Sequence, residues 1–100
     1  MLHIVNKSPF ERDTLEICLQ HALPGSPILL IEDAVYAAMR GTSKEAMVRD
    51  GLKNHPIHVL ASDLKARGID EAKVIDGVKL VDYADFVDLV VNNGTTQSWL

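Results

Sequence analysis

Apolar residues fall along this chain in two rhythms. Four short runs are nearly continuous: LHIV (2–5), PILLI (27–31), IHVLA (57–61) and VKLVD (78–82). Runs of this length predict strands, and an unbroken one such as PILLI predicts a strand covered on both faces. SWL at the C-terminal end predicts a short fifth strand. The stretches between the runs repeat at helical spacing and carry start and stop signals. Ser8-Pro9-Phe10-Glu11 combines a serine N-cap, proline at the first helical position and glutamate at the third, which predicts a helix opened by a capping box. Thr42-Ser43-Lys44-Glu45 offers a second start. Asp82 is placed to cap YADFVDLVVNN and Gly94 to end it, while Gly41 and Gly68 stop two shorter helices. Strand–helix–strand alternation predicts an α/β fold of βαβ units, with a mostly parallel sheet and helices on both faces. No repeat, low-complexity segment or linker divides the chain, so residues 1–100 are expected to form one domain.

Composition narrows the function classes. The chain has 100 residues, 47% of them hydrophobic, and a domain this small has modest surface to bury. A mean hydropathy of +0.06 is high for a short soluble chain, so part of the apolar surface is expected to face partners. Fourteen acidic residues against ten basic ones give a formal charge of -4. There is no basic run and no Lys/Arg stripe interleaved with aromatics, so direct nucleic-acid binding is not expected. The single cysteine cannot form an internal disulfide, and no CxxC or Cys/His spacing for zinc is present. MLHIVNKSPF lacks the basic and apolar regions of a signal peptide. No run approaches the ~18 apolar residues of a membrane span. The expectation is a cytoplasmic, soluble protein without a bound cofactor or metal and without membrane contact.

In open α/β sheets, ligands bind outside the carboxyl ends of the strands. Those ends supply Asn6 and Lys7, then Glu32 and Asp33, then Ser62 and Asp63, then Asp82. Carboxylates and one lysine at a common edge are the outfit of a phospho-receiver holding Mg²⁺. The plainer reading is that Asp33, Ser62 and Asp82 stand where helix N-caps are needed. No GxGxxG, GxxxxGK[ST] or GxSxG occurs. Of the four histidines, His3 and His58 fall in predicted strands, where core or edge packing explains them; His21 lies on a helix and His55 in a loop.

Cys18, in LEICLQHA (15–22), is the one candidate nucleophile. At about 100° per residue, Arg12, Asp13, Glu16 and Gln20 share a polar arc. Phe10, Thr14, Leu15, Ile17, Cys18, Leu19, His21 and Ala22 cover most of the rest, with Glu11 the one charged intruder. That apolar arc spans about 200°, wider than the ~100° stripe that covers one sheet. A broad arc implies two burial partners, the sheet and another subunit, with Cys18 near its middle. The Ser8 start would place Cys18 more than two turns into its helix, away from the N-terminal dipole that lowers a thiol pKa. Pattern alone favours an inert, buried cysteine.

LHIVNKSPFER at the start, IEDAVYAAMRGT in the middle, DLKARGI, and VDYADFVDLVVNNGTTQSWL at the end resemble the DsrH/TusB family over nearly the full length. HIVNKSPF and the DYADFVDL…QSW block are the most specific parts. The resemblance implies a DsrE-like fold, a three-layer α/β/α sandwich around a five-stranded, mostly parallel sheet. It implies DsrE/TusD-like and DsrF/TusC-like sibling subunits, two copies of each kind in a heterohexamer, and a downstream sulfur-carrier protein. The complex relays persulfide sulfur toward 2-thiouridine at the tRNA wobble position in one branch and serves intracellular sulfur oxidation in the other. The sulfur-bearing cysteine of the DsrE/TusD sibling lies after the third strand, shortly before an Arg-Gly pair. Here Leu60, Ala61 and Ser62 occupy that region, so this catalytic role does not transfer. A cysteine in the first helix resembles the DsrH side of the family, which makes Cys18 a candidate persulfide acceptor.

Three readings follow. The chain is a mainly structural subunit of a sulfurtransferase complex; or Cys18 is itself a persulfide carrier; or, more remotely, the chain is a stand-alone ligand binder or phospho-receiver using Lys7, Glu32, Asp33 and Asp63. Whether it is an enzyme in its own right stays open. Interfaces with the siblings are expected on the first helix around Phe10 and Ile17 and at the C-terminal SWL, with self-association of the isolated chain through the exposed helix and the end Trp99-Leu100 a further expectation.

Overall fold

The four apolar runs and the segment Thr96–Trp99 near the C-terminal end form one sheet. The structure is a computed structural model and describes residues 1–99; Leu100, part of the expected apolar end, lies outside the described residues. The strands are β1 (Leu2–Val5), β2 (Ile28–Leu30), β3 (Ile57–Leu60), β4 (Lys79–Val81) and β5 (Thr96–Trp99). They lie in the order β4-β3-β2-β1-β5, and every pair is parallel. The expected mostly parallel sheet is thus parallel throughout. The helices are α1 (Thr14–His21), α2 (Glu45–Gly51), α3 (Ala61–Ala66) and α4 (Tyr83–Asn93), with 3₁₀ segments at Glu32–Ala38 and Glu71–Lys73. No helix among the described residues is long and apolar enough to cross a membrane.

Alternation along each strand sorts the core into two clusters. Val5, Ile28, Leu30, Ile57 and Val59 turn to one face and meet Leu15 and Cys18 of α1, Ala34 and Val35 of the first 3₁₀ segment, Val48 of α2 and Leu64 of α3. Leu2, Leu29, Leu60 and Val81 turn to the other face and meet Phe86, Leu89 and Val90 of α4. The result is the three-layer α/β/α sandwich. Each fully buried leucine or isoleucine contributes about 1.5–3 kcal/mol, so the first cluster carries most of the stability.

Local signals explain α4 fully and α1 only in part. The Asp82 carboxylate accepts the Asp85 N–H at 2.8 Å, and the Asp85 carboxylate accepts the Asp82 N–H at 3.1 Å, a reciprocal capping box. Gly94 ends α4 at φ 71°, a conformation glycine adopts without a Cβ clash. The Ser8 signal, in contrast, closes a single turn and does not start α1. Ser8 Oγ accepts the Phe10 N–H at 3.2 Å, and the Ser8 carbonyl accepts the N–H groups of Glu11 and Arg12. Asp13, at φ -88° and ψ 12°, separates that turn from α1. Cys18 is therefore the fifth residue of α1 and not more than two turns in. At the second start, Thr42 Oγ1 accepts the Lys44 N–H and Glu45 reaches back to the Gly41 N–H, and α2 begins at Glu45.

Candidate functional site

Cys18 sits on the sheet side of α1 and has no exposed surface. Its neighbours in the core cluster are apolar side chains such as Val5, Leu15, Ile28 and Leu30. Burial pushes the thiol up to about 12, because a thiolate there would lose its hydration. At pH 7 such a thiol is ionised in roughly one molecule in 10⁵. Thiolates are the attacking species in sulfur transfer, so Cys18 is shielded both by access and by charge in this conformation. The broad apolar arc forms only in part, because Phe10 lies in the Ser8 turn ahead of α1. Leu15, Cys18 and Ala22 are buried, whereas Phe10 and Ile17 are 51% and 43% exposed.

The carboxyl ends of β2 and β3 do bring acidic residues together, but an arginine holds them. Arg67 Nε donates to Asp33 Oδ1 at 3.0 Å, and its Nη1 donates to the Asp63 carbonyl at 3.2 Å and lies 4.0 Å from Asp63 Oδ1. Asp63 Oδ2 accepts the backbone N–H of Glu32 at 2.7 Å. That bond steadies a non-glycine residue at φ 50°, in the left-handed region. Lys7 is exposed and makes no ion pair among the described residues. No group of three or more His, Cys, Asp or Glu side chains among the described residues is placed to hold a metal. The cap reading holds for Asp82 alone. The first 3₁₀ segment and α3 have no side-chain cap, so Asp33 and Ser62 do not serve there. Arg67 is the residue the sequence reading missed; it was visible only as the Arg of an Arg-Gly landmark.

After β3 the chain runs Leu60, Ala61, Ser62 directly into α3. Neither a methyl nor a hydroxyl can hold sulfane sulfur, so this segment has no carrier group. The strand histidines behave differently from each other. His3 Nδ1 accepts the Trp99 Nε1–H at 3.0 Å, which ties the last strand to the first and leaves Trp99 partly buried, less free for a partner than the sequence suggested. His58 is buried, but its Nδ1 has no partner among the described residues. Burial, with the Lys79 ammonium second, holds its imidazole below the ordinary range. His55 Nδ1 is 3.0 Å from the Ser26 carbonyl.

One more surface is conspicuous. Tyr83, Val87 and Val91 repeat every four residues along α4 and are 72%, 45% and 70% exposed. Repeats at this spacing form one stripe on a helix, and no residue of α4 is fully buried. With Phe10 and Ile17 on the opposite layer, the chain offers apolar surface on both outer layers.

Comparison with known proteins places this architecture. A family model described as "DsrH like protein" matches residues 7–96. Protein TusB of Erwinia tasmaniensis is 35% identical over 100 residues, covering 99% of this chain and 100% of that protein. Protein TusB of Escherichia coli K12 is 35% identical over 101 residues, with the same two coverages of 99% and 100%. Among solved structures, the ychN protein from E. coli superposes with a TM-score of 0.78 at 21% identity, covering 97% of each chain. Protein Tm0979 from Thermotoga maritima superposes with a TM-score of 0.67 at 20% identity, covering 95% of this chain and 97% of that one. These two likenesses show the fold. The full-length sequence match shows more: the chain belongs to the DsrH family.

Proposed function

We propose that the chain is a non-catalytic subunit of a cytoplasmic sulfur-relay assembly, in which a sibling subunit carries the persulfide. The observation that carries this reading is the state of its only cysteine, sealed in the core with its thiol pushed up to about 12. A chain with no usable thiol and no cysteine after β3 contributes surface and shape. Exposed Phe10 in the turn before α1, Ile17 on α1 and the α4 stripe supply that surface, and TusD-like and TusC-like siblings are the partners that family membership implies. The similarity to TusB proteins favours tRNA wobble thiolation over sulfur oxidation as the end use. A downstream carrier protein would then receive the sulfur, and RNA would be reached through other subunits.

The test is co-expression with the two sibling chains, followed by size-exclusion chromatography and intact mass after treatment with a small-molecule persulfide donor. Co-elution of all three chains, with the added sulfur on a sibling, is the expected result. A chain that elutes alone in the presence of both siblings defeats the proposal.

The carrier reading for Cys18 keeps one support. α1 is only eight residues long and lacks a side-chain cap, so packing of Leu15 and Cys18, and not its own backbone, is what holds it to the sheet. Once exposed, the Cys18 thiolate would attack the outer sulfur of a donor persulfide. A new S–S bond forms, the donor's S–S bond breaks, and the donor leaves as its thiolate. A mass gain of one sulfur on this chain, within the assembly, selects that reading.

A further inference from the structure

The two edges of the sheet are not alike. β4, at one end of the strand order, is three residues long and carries an exposed lysine, Lys79. Shortness and a lysine are devices that keep a sheet edge from pairing with another chain. β5, at the other end, has neither. Its Thr96, Gln97 and Ser98 are exposed. No charged residue and no proline follows Asp88, and no bulge interrupts the register with β1. Among the described residues, no strand lies beyond β5.

The register shows which backbone groups are free. The Leu2 N–H donates to the Thr95 carbonyl and the His3 N–H to the Pro27 carbonyl. Leu2 and Ile4 thus turn their main chain to β5, and His3 and Val5 turn theirs to β2. Along a parallel ladder, residues face the two sides alternately. Thr95, Gln97 and Trp99 therefore serve β1, while Thr96 and Ser98 hold their N–H and C=O groups out from the open edge. These two residues complement each other. About a two-fold axis at Gln97, Thr96 lies opposite the second copy's Ser98, and each such pair exchanges N–H···O bonds in both directions. The side chains agree. Thr96 and Ser98 hydroxyls share one sheet face and bond across the seam; on the other face Gln97 meets its own copy, amide to amide, each with a donor and an acceptor. A two-fold axis brings any charge on a strand close to its own copy. β5 carries none, so this seam meets no repulsion.

We propose that β5 is a self-recognition edge: two copies of this chain join antiparallel along Thr96–Trp99 into one continuous sheet, with the Lys79 edges left outside. The seam is independent of the sulfur-relay reading and stands or falls separately. The test is sedimentation equilibrium of the full chain. The seam is short, so the weight-average mass should rise from 11.0 kDa toward twice that value between about 10 μM and about 1 mM protein, a Kd on the order of 100 μM. Ser98→Pro removes an outward N–H and no bond to β1, and edge strands accept proline in that orientation. It should weaken dimerisation at least about tenfold, with the Trp99 emission unchanged as a sign that β5 is still docked. If that emission changes, the Gln97 variants decide. Gln97→Lys and Gln97→Glu each set like charges opposite each other and should weaken dimerisation about fivefold, whereas an equimolar mixture of the two should recover the parent's affinity. A mass that stays at one chain throughout, a docked Ser98→Pro variant that dimerises as the parent does, or a mixture no better than its components overturns the proposal. Dimerisation abolished by Tyr83→Ser with Val91→Ser but untouched by the β5 variants overturns it too, since the seam would then lie on α4.

Discussion

The two faces of the sheet are built to different standards. One is covered by α1, α2, α3 and a 3₁₀ segment, and its cluster holds fully enclosed side chains from every layer element. The other is covered by α4 alone, which buries no residue completely and leaves its Tyr83, Val87 and Val91 stripe in solvent. The reason is width. Five strands at about 4.8 Å make a sheet roughly twice as wide as a helix about 10–12 Å across. The first face is a finished core. The second has a buried histidine whose Nδ1 has no partner among the described residues and an apolar outer stripe that a partner would cover.

The contrast can be broken by mutation. The largest effect is expected from Leu30→Ala on the finished face, a loss of about 3 kcal/mol in urea unfolding, since the enclosed side chain leaves a cavity behind. Leu89→Ala on α4 should cost about half as much, roughly 1.5 kcal/mol, because the site is already partly open. Equal losses at the two positions would show that the faces are equally knit. Asp82→Ala removes one half of the capping box and should cost about 1 kcal/mol, with the loss of helical signal confined to α4.

A smaller effect has a sign set by His58. Its folded imidazole titrates below the ordinary value of 6.5 because of burial and the Lys79 ammonium. Below pH 6.5 the unfolded chain takes up a proton that the folded chain refuses, so this contribution is intact above that pH and declines as pH falls toward the lowered folded value. Unfolding midpoints measured from pH 7.5 down to about 5.5 should fall, and His58→Gln should flatten the slope; His3, also lowered by burial, keeps a share of it. The smallest effect on the isolated chain is expected from Tyr83→Ser with Val91→Ser, within about 0.5 kcal/mol. The same pair should sharply reduce co-elution with the sibling chains, a split between stability and assembly that a merely structural stripe would not produce.

Much of this contrast was legible before any coordinates. The first four strands fall inside the apolar runs, whereas β5 starts at Thr96, two residues ahead of the SWL run, because an edge strand needs little burial. The ends of α4 were fixed by Asp82 and Gly94, whose effects are local. What failed was competition between local options. Ser8 prefers a bond to the Phe10 N–H, two residues on, and spends its capping signal on one turn. Asp33 and Ser62 stand in the right place for caps, yet Asp33 is claimed by Arg67, which is 34 residues away in sequence. The gathering of acidic residues at the strand ends was foreseeable from topology; the arginine that neutralises them was not. The burial of Cys18 followed from helical periodicity, although its helix starts later than the Ser8 signal implied. The state of His58 depends on which side of β3 α4 leaves uncovered, and no periodicity reports that.

The bond between Trp99 and His3 has an optical consequence. Trp99 is the only tryptophan, and its indole is joined to a residue 96 positions away. Intrinsic emission therefore reports on one joint, the seam between the first and last strands, and not on the average fold. A proton on His3 removes the lone pair that accepts the indole N–H, so acid should alter the emission before the backbone unfolds. In refolding, pairings this distant in sequence tend to be slow. A fluorescence phase that lags the far-ultraviolet signal would time the docking of β5 directly.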